Sequence, residues 1–503
     1  MAASPFIETL KPKTNQIQYV KILPLRTVLS AACTALCLTS VSAQENIEPV
    51  SQDRSLLEST QPSAAIVPDV TPIVRDRGNV VEQYLNGDAA LGNMFGIRDA
   101  LVDHGVTLFG SYEANMAGNP VGGRSQGFAY ADNFDFGIRL DLQKIIGWQG
   151  ATLTANGVDR NGQSLTNNHV GNFYQIQQLY GVQTFMFYGL YLTQKFWDDK
   201  ISLKIGRFAT NEDFATSPIY GLYMGNGIDG NPKALVSSGA FSSYPGSVWA
   251  ARVKVEPTKE TNFSFGVYQT NDRLYTEDHH GFDWRMQNGD GVMLIGQMGW
   301  SPEFFKKPVS TATAAPTDGK SVVDGKSTRS FKDPVEMKGL PGNYWFGAYV
   351  SMWNVPQFGS TSKDSGVYGF YWHADQMVFQ ESPGSGQGLT LWGDVVLQPD
   401  ESVNVIPFQV SGGAVYKGLI PSRDEDVLIF GVVYGKFSRD YAGTVADAGL
   451  GVPQYEITLE TGYRIQLTKF TYFMPDVQWI INPGGTGNID NALVLGARIG
   501  VTF

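Results

Sequence analysis

The last thirteen residues, Asn491 to Phe503, read NALVLGARIGVTF and indicate the fold class of this chain. Apolar residues alternate with small or polar ones along the whole segment, which is the period of an extended strand. One face carries no charge and consists of Leu493, Leu495, Ala497, Ile499, Val501 and Phe503. The other face carries Arg498, and the chain ends on an aromatic. This pattern is typical of an outer-membrane barrel strand. The alternative is the last strand of a soluble sandwich.

The composition favours the barrel over the sandwich. Charged residues make up 17% of the 503 residues, below the roughly 25% of an ordinary soluble domain. Glycine numbers 57 and aromatics reach 12%, which suits many turns and an interfacial belt of rings. The net charge of -11 lacks the basic footprint of a nucleic-acid-binding protein. After residue 43 there is no run of 18 apolar residues, so we expect no transmembrane helix.

Residues 1–43 have the pattern of a signal peptide. A basic region, with Lys11 and Arg26 near its ends, precedes an apolar stretch and the small-residue cleavage site Val41-Ser42-Ala43. Both cysteines lie inside this segment, so the exported chain is expected to contain no disulfide. Residues 44–104 are predicted to form a flexible lead that ends in a short helix.

From residue 105 onward, alternating segments follow one another to the C-terminus. We count 16 of them, at 105–117, 133–143, 150–158, 184–196, 200–208, 247–257, 261–270, 291–300, 343–353, 367–379, 388–398, 404–417, 426–438, 453–467, 470–481 and 491–503. Short turns alternate with long connections, as in barrels with a periplasmic and an outer rim. The sequence predicts an all-β fold, a single antiparallel transmembrane barrel over 105–503. Residues 302–342 are predicted to be an insertion on the periplasmic side.

Charged residues keep to one face of the clearest strands. A charge on the lipid face costs about 2–4 kcal/mol near the midplane, so the charged face is predicted to line the lumen. Together with Asp476, this face carries six acidic and six basic residues, Glu456 and Lys204 among them, which suits a polar, uncharged solute better than an ion. Four aromatics share the inward parity and could stack on sugar rings, namely Trp345, Tyr349, Trp353 and Trp392.

Several short motifs, in order, resemble the carbohydrate-selective porins of the OprB family. They are Gly96-Ile97-Arg98-Asp99-Ala100-Leu101 with His104-Gly105-Val106-Thr107-Leu108, Ile205-Gly206-Arg207-Phe208 with Glu212-Asp213-Phe214, Tyr244-Pro245-Gly246, Gly281-Phe282-Asp283-Trp284, Tyr455-Glu456-Ile457, and Asn482-Pro483-Gly484-Gly485. The resemblance spans roughly 90–503. It departs from the family at Asn93-Met94-Phe95-Gly96, where a Trp-Gly-Gly-like turn is usual, and in the length of 302–342.

This resemblance implies a monomeric 16-stranded pore in the bacterial outer membrane through which glucose and similar sugars diffuse into the periplasm. The long loop at 209–246 is expected to fold inward and narrow the pore. The residues predicted to line the pore or contact sugar are Glu113, Arg139, Asp141, Arg207, Arg252, Trp392, Glu460, Arg464 and Arg498. We expect sugars, outer-membrane lipid and, through the Phe503 strand, the barrel-insertion machinery as partners. We expect no nucleic acid, cofactor or metal.

Other functions fit the sequence less well. A barrel enzyme would need a nucleophile and a base, but no G-x-S-x-G elbow is present, and His279-His280 lies in a polar loop. A TonB-type transporter needs a plug domain that residues 44–104 are too few to form. Residues 225–230 match G-x-G-x-x-G, yet no parallel βαβ unit surrounds them, so a dinucleotide site is rejected. A general, weakly selective porin remains as the alternative.

Overall fold

Residues 87–308 and 337–503 are described by the structure, a computed structural model. They form a closed antiparallel barrel of 16 strands, in which β1 pairs with both β2 and β17. The strands are β1 (Val106–Gly123), β2 (Phe128–Asp141), β3 (Ala151–Gly162), β4 (Phe185–Phe196), β5 (Ile201–Phe208), β6 (Val248–Val255), β7 (Thr261–Thr270), β8 (Gly291–Trp300), β9 (Glu303–Pro308), β10 (Met337–Pro356), β11 (Lys363–Gln380), β12 (Gly388–Leu397), β13 (Phe408–Lys417), β14 (Val427–Lys436), β15 (Tyr455–Thr468), β16 (Thr471–Ile481) and β17 (Asp490–Thr502).

Helical segments are short and lie between the strands or before β1. The α-helices of the described part are α1 (Ile97–Asp103), α2 (Leu142–Ile146), α3 (Lys233–Ser237) and α4 (Arg439–Asp447). Single helical turns lie at Met94–Gly96, Thr166–Val170, Thr210–Glu212, Tyr220–Leu222, Glu277–His279 and Pro483–Gly485. No helix within residues 87–308 or 337–503 has both the length and the apolar character needed to cross a bilayer.

The predicted barrel of 16 strands is confirmed, and β9 is an addition to it. β9 pairs with the first residues of β10 and extends that strand beyond the barrel as a hairpin. Residues 302–342 therefore begin and end in paired strands, whereas the sequence predicted an insertion without periodic structure. The β9 sequence, EFFKKP, places two phenylalanines and then two lysines side by side, so it shows no alternation that would predict a strand. The predicted signal peptide 1–43, most of the lead 44–104 and residues 309–336 lie outside the described residues.

The alternation in β17 separates two environments. Val494 and Arg498 point inward and are buried, whereas Leu495 points outward and is 51% exposed. The backbone amide of Phe503 donates to Gly110 O at 2.8 Å, so pairing with β1 continues to the last residue. The inward residues are buried because loops between the strands fold into the barrel, and a further loop completes its wall.

We name these loops L2 (residues 163–184), L3 (209–247) and L4 (271–290). The pairing of β5 with β4 begins at Leu190, opposite Arg207, because the chain turns into L3 after Phe208. The first residues of β4 are thereby left without a partner on β5. L4 supplies one, since the backbone amide of Phe187 donates to His280 O at 2.8 Å. L4 thus completes the wall where L3 leaves it.

A charge introduced on the lipid face is expected to destabilise the barrel. Leu495→Arg places a guanidinium near the middle of β17, and we expect a loss of about 2–4 kcal/mol because the hydrocarbon layer cannot solvate it. Leu467→Arg is the matched control, because Leu467 is exposed next to the end of β15 and should cost about 0–1 kcal/mol. Urea unfolding in lipid vesicles measures both. Equal losses for the two variants would contradict the assignment of the outward face.

Candidate pore and constriction

L3 begins at a buried ion cluster on the inner faces of β5 and β6. The ammonium of Lys204 contacts Glu212 at 2.6 Å and Asp213 at 3.1 Å. Arg252, from β6, contacts Asp213 at 2.8 Å. Burial alone would raise the pKa of Asp213, but the charges of Arg252 and Lys204 outweigh it and lower that pKa to about 2. The carboxylate therefore stays ionised, and the cluster directs the chain from the wall into the lumen.

The middle of L3 is held by inward residues of distant strands. Met224 and Gly225 donate their backbone amides to Glu460 on β15, at 2.5 and 3.1 Å. Arg498 on β17 contacts Asp229 at 2.6 Å. Because its two ends join β5 and β6 while its middle contacts β15 and β17, L3 crosses the interior of the barrel. The inward folding expected for 209–246 is therefore what the structure shows.

L2 also folds inward and joins L3. Glu456 on β15 accepts the backbone amides of Phe173 and Tyr174 at 2.7 and 2.8 Å. The two loops are then linked directly, since the amide of Gln178 donates to Met224 O at 3.0 Å and the amide of Asn226 donates to Gln175 O at 2.8 Å. The constriction is thus built from two loops that hydrogen-bond to each other and to the same strand of the wall.

Most of the predicted pore residues are engaged by the inward loops or by neighbouring strands. The residues that are nearly inaccessible to solvent are Glu113, Arg207, Arg252, Trp392, Glu460 and Arg498. Trp392 donates its indole N–H to Tyr223 of L3 at 2.9 Å, and its ring packs against Tyr220. Trp345 stacks on His373, and Nδ1 of His373 lies 2.9 Å from the Tyr220 hydroxyl. These aromatic side chains hold L3 as a packed layer against the wall.

Arg139, Asp141 and Arg464 are half-buried. Asp141 caps α2, accepting from the amides of Gln143 and Lys144. The guanidinium of Arg464 lies over the Tyr472 ring at 3.7 Å. The Tyr472 hydroxyl in turn donates to Glu113 at 2.6 Å.

Arg139 lies over the ring of Phe109 at 5.5 Å, on the neighbouring strands. In register, Glu113 faces Gly500 and Gly500 faces Tyr472, which makes β16, β17 and β1 one continuous surface. Arg464, Tyr472 and Glu113 therefore form one chain of contacts, and the contact of Arg139 with Phe109 lies on the same inward face of β1 as Glu113. We call Phe109, Glu113, Arg139, Arg464 and Tyr472 the wall patch.

The predicted lumen position of Arg207 is wrong. Lys204 and Phe208 point inward, and Arg207 lies on the opposite face of β5, across from Trp249. Its guanidinium lies between Trp249 and Trp284, 5.9 and 5.8 Å from the ring centres. It donates to the carbonyls of Ser247 and Asp283. Arg207 thus fixes L4, which carries the Gly281-Phe282-Asp283-Trp284 motif, against the outside of the wall.

Arg207 was misassigned because its motif, and not the alternation of β5, was used to place it. The parity of β5 was readable from Lys204, but Ile205-Gly206-Arg207-Phe208 was interpreted through its motif rather than its alternation. Sequence reasoning also left out Lys204, Asp213, Asp229 and Glu456 as residues of the constriction. Lys204 and Glu456 had been placed on the lumen face, and Asp229 lies within the rejected G-x-G-x-x-G match. These residues could have been found from one signal: a charge on the inward face of a strand needs a partner, and a long loop is the nearest segment that can supply one.

The fold and the inward loops define a class of protein, the outer-membrane diffusion porins. A closed 16-stranded barrel narrowed by loops from one rim is the architecture of channels rather than of enzymes. The chain belongs to the OprB family of carbohydrate-selective porins, whose model matches residues 125–503. It is accordingly a protein of the Gram-negative outer membrane.

Individual relatives agree with this assignment. The chain is 25% identical over 447 residues to Porin B of Pseudomonas aeruginosa, covering 83% of this chain and 92% of Porin B. It is 24% identical over 472 residues to the putative porin QuiX of Acinetobacter baylyi, covering 88% and 98%. The structure of Pseudomonas putida OprB at high pH superposes with a TM-score of 0.72 at 25% identity, covering 83% of this chain and 99% of OprB.

Proposed function

We propose that this porin lets glucose and similar sugars diffuse passively into the periplasm, and that the wall patch contacts them on the way. The observation that carries the proposal is the stacking of Arg464 on Tyr472, with Glu113 hydrogen-bonded to the same ring's hydroxyl. Rings offer apolar faces to the C–H groups of a pyranose, while guanidinium and carboxylate groups hydrogen-bond its hydroxyls.

The distribution of charge supports an uncharged solute. Lys204, Arg252 and Arg498 are neutralised by carboxylates in L3. In residues 87–308 and 337–503, no salt bridge joins Arg139 or Arg464 to a carboxylate, so their guanidinium groups remain for a passing solute. Two isolated cations beside Glu113 make a mixed surface rather than a filter of a single sign.

The membrane partners follow from the outer wall. The outward face of β17 and its neighbours is apolar, which suits outer-membrane lipid. The C-terminal strand, ending at Phe503, is the segment we propose the barrel-insertion machinery recognises.

Liposome swelling with purified protein tests the function. It compares the entry of glucose, a disaccharide and a zwitterionic amino acid of similar size to glucose. Faster entry of glucose than of the amino acid is expected from a sugar-selective pore. Rates ordered by size alone would instead identify a general porin, and absence of swelling would contradict both.

Neutralising the free guanidinium groups is expected to reduce sugar selectivity. For Arg139→Gln and Arg464→Gln we expect the ratio of glucose to amino-acid entry to fall about two- to fivefold, because charge-assisted hydrogen bonds to hydroxyls are lost. Arg439→Gln is the matched control, since Arg439 lies in an outer loop with its side chain 82% exposed. An unchanged ratio in both wall-patch variants would remove these residues from the sugar path.

A further inference from the structure

Two carboxylates on β15 bind loop backbone rather than cations. Glu456 accepts amides from Phe173 and Tyr174 of L2 and from Gly484 at 2.6 Å. Glu460 accepts amides from Met224 and Gly225 of L3. Within the described residues no salt bridge involves either carboxylate, and both are almost fully buried. A buried carboxyl group without a cation depends on its hydrogen bonds, so these amides hold the two side chains in place and the side chains in turn hold the loops.

L2 and L3 are joined to each other as well as to the wall. L2 and L3 share two backbone hydrogen bonds, and Gln478, next to Glu460 on β16, donates to Ile176 O of L2 at 3.1 Å. Each loop is therefore tied to its neighbour as well as to the wall. We call the joined segments 172–178 and 223–229 the clasp.

Gly225 is fitted to this contact. A Cβ at position 225 would lie 2.8 Å from the nearer Glu460 carboxylate oxygen and 3.4 Å from the amide oxygen of Gln478. Its backbone does not lie in the left-handed region, so alanine would be tolerated there by the chain itself. A side chain at position 225 would therefore displace the Glu460 carboxyl group from the amides that it accepts.

We propose that Glu456 and Glu460 are positioning residues that set the size limit of the pore by holding the clasp across the lumen, without contacting the sugar. This inference rests on the proposed function in one respect, that the solute whose size is limited is a sugar. It changes the role expected for Glu460, from a sugar contact to the attachment point of L3. Loosening either attachment then widens the path for every solute, sugar or salt.

Single-channel conductance in potassium chloride tests the clasp. We expect Glu460→Ala and Gly225→Ala each to raise the conductance about twofold and to admit a trisaccharide in the swelling assay, because conduction follows the width of the constriction. Glu460→Gln keeps one acceptor oxygen and should restore most of the wild-type conductance. Gly225→Ala leaves the Glu460 charge in place, so a shared effect of the two alanine variants reports position rather than lumen charge.

Thr458→Val is the matched control. Thr458 lies between the two glutamates on the inner face of β15, is buried, and has no hydrogen-bond partner for its hydroxyl in the described residues. We expect wild-type conductance from it. Unchanged conductance in Glu460→Ala and Gly225→Ala, in protein that still shows the heat-modifiable migration of a folded barrel, would overturn the proposal, as would an equal rise in Thr458→Val.

If Glu460→Ala fails to fold, the conductances of Gly225→Ala and Glu460→Gln test whether Glu460 holds the clasp, because neither variant removes a buried acceptor completely. The proposed preference for sugars is tested by a different result from the one that tests the clasp. A wild-type pore that ranks solutes by size alone contradicts sugar selectivity, yet it leaves the conductance of the clasp variants as a test in its own right.

Discussion

Arg498→Ala is expected to lower the free energy of unfolding by about 3–5 kcal/mol, because it leaves a buried carboxylate without its cation. Arg498 is 1% exposed and donates to Asp229 at 2.6 Å and to Asn115 at 3.0 Å. The side chain of Asp229 is also buried, so water cannot replace the guanidinium. Because Asp229 belongs to L3, part of the loss should appear as a displaced loop.

Urea unfolding in detergent micelles or vesicles measures this loss. The double variant Arg498→Met with Asp229→Leu removes both charges, and we expect it to be much closer to wild type than Arg498→Ala. Lys195→Ala is the control for a solvent-exposed pair, since Lys195 and Asp199 are both largely open to solvent and should cost less than about 1 kcal/mol. A double variant as unstable as Arg498→Ala would show that the side chain acts through packing instead.

Asp213→Ala is expected to have the second largest effect, again about 3–5 kcal/mol. Arg252 then loses its carboxylate partner among the described residues, while Lys204 keeps Glu212. Since Asp213 fixes the first turn of L3, the variant should also change single-channel conductance. Glu256→Ala removes the partner of Lys254 in a half-exposed pair near a turn, and is the matched control. A stability loss no larger than that of the control would contradict a structural role for the cluster.

The low pKa of Asp213 makes the free energy of unfolding depend on pH. The pKa of Asp213 falls from its usual 3.8 to about 2 because Arg252 and Lys204 outweigh the effect of burial. A depressed pKa means that the folded state binds the proton less readily than the unfolded chain. The contribution of Asp213 is therefore complete above about pH 4 and is lost as the pH falls through about 2. The difference in unfolding free energy between wild type and Asp213→Ala should be constant above pH 4 and shrink below it. A constant difference down to pH 2 would contradict this.

Alternation of side chains was enough to predict the barrel. The sequence around Leu495 and Arg498 separates the lipid face from the lumen face, because residues two apart in a strand must point the same way. The strand positions were predicted to within a few residues for β7, β8 and β16, and L3 was correctly expected to fold inward. These features depend on local pattern and on loop length, and both can be read along the chain.

Alternation does not predict which residue will contact an inward-facing charge. Glu460 and Met224 are separated by 236 positions, and Arg498 and Asp229 by 269, so their pairing exists only once the barrel has closed. The loops themselves have no period from which a partner could be inferred. Arg207 was placed in the lumen because of its motif, although the alternation of β5 points it outward, where L4 covers it.

The sequence by itself determined the class of fold, the number of barrel strands and the face of most side chains, since the bilayer enforces these along every strand. Only the tertiary structure decided which lumen charges hold the constriction and which face the passing solute. That division depends on how two aperiodic loops pack across the barrel, where each buried charge must find a partner contributed by a distant part of the chain.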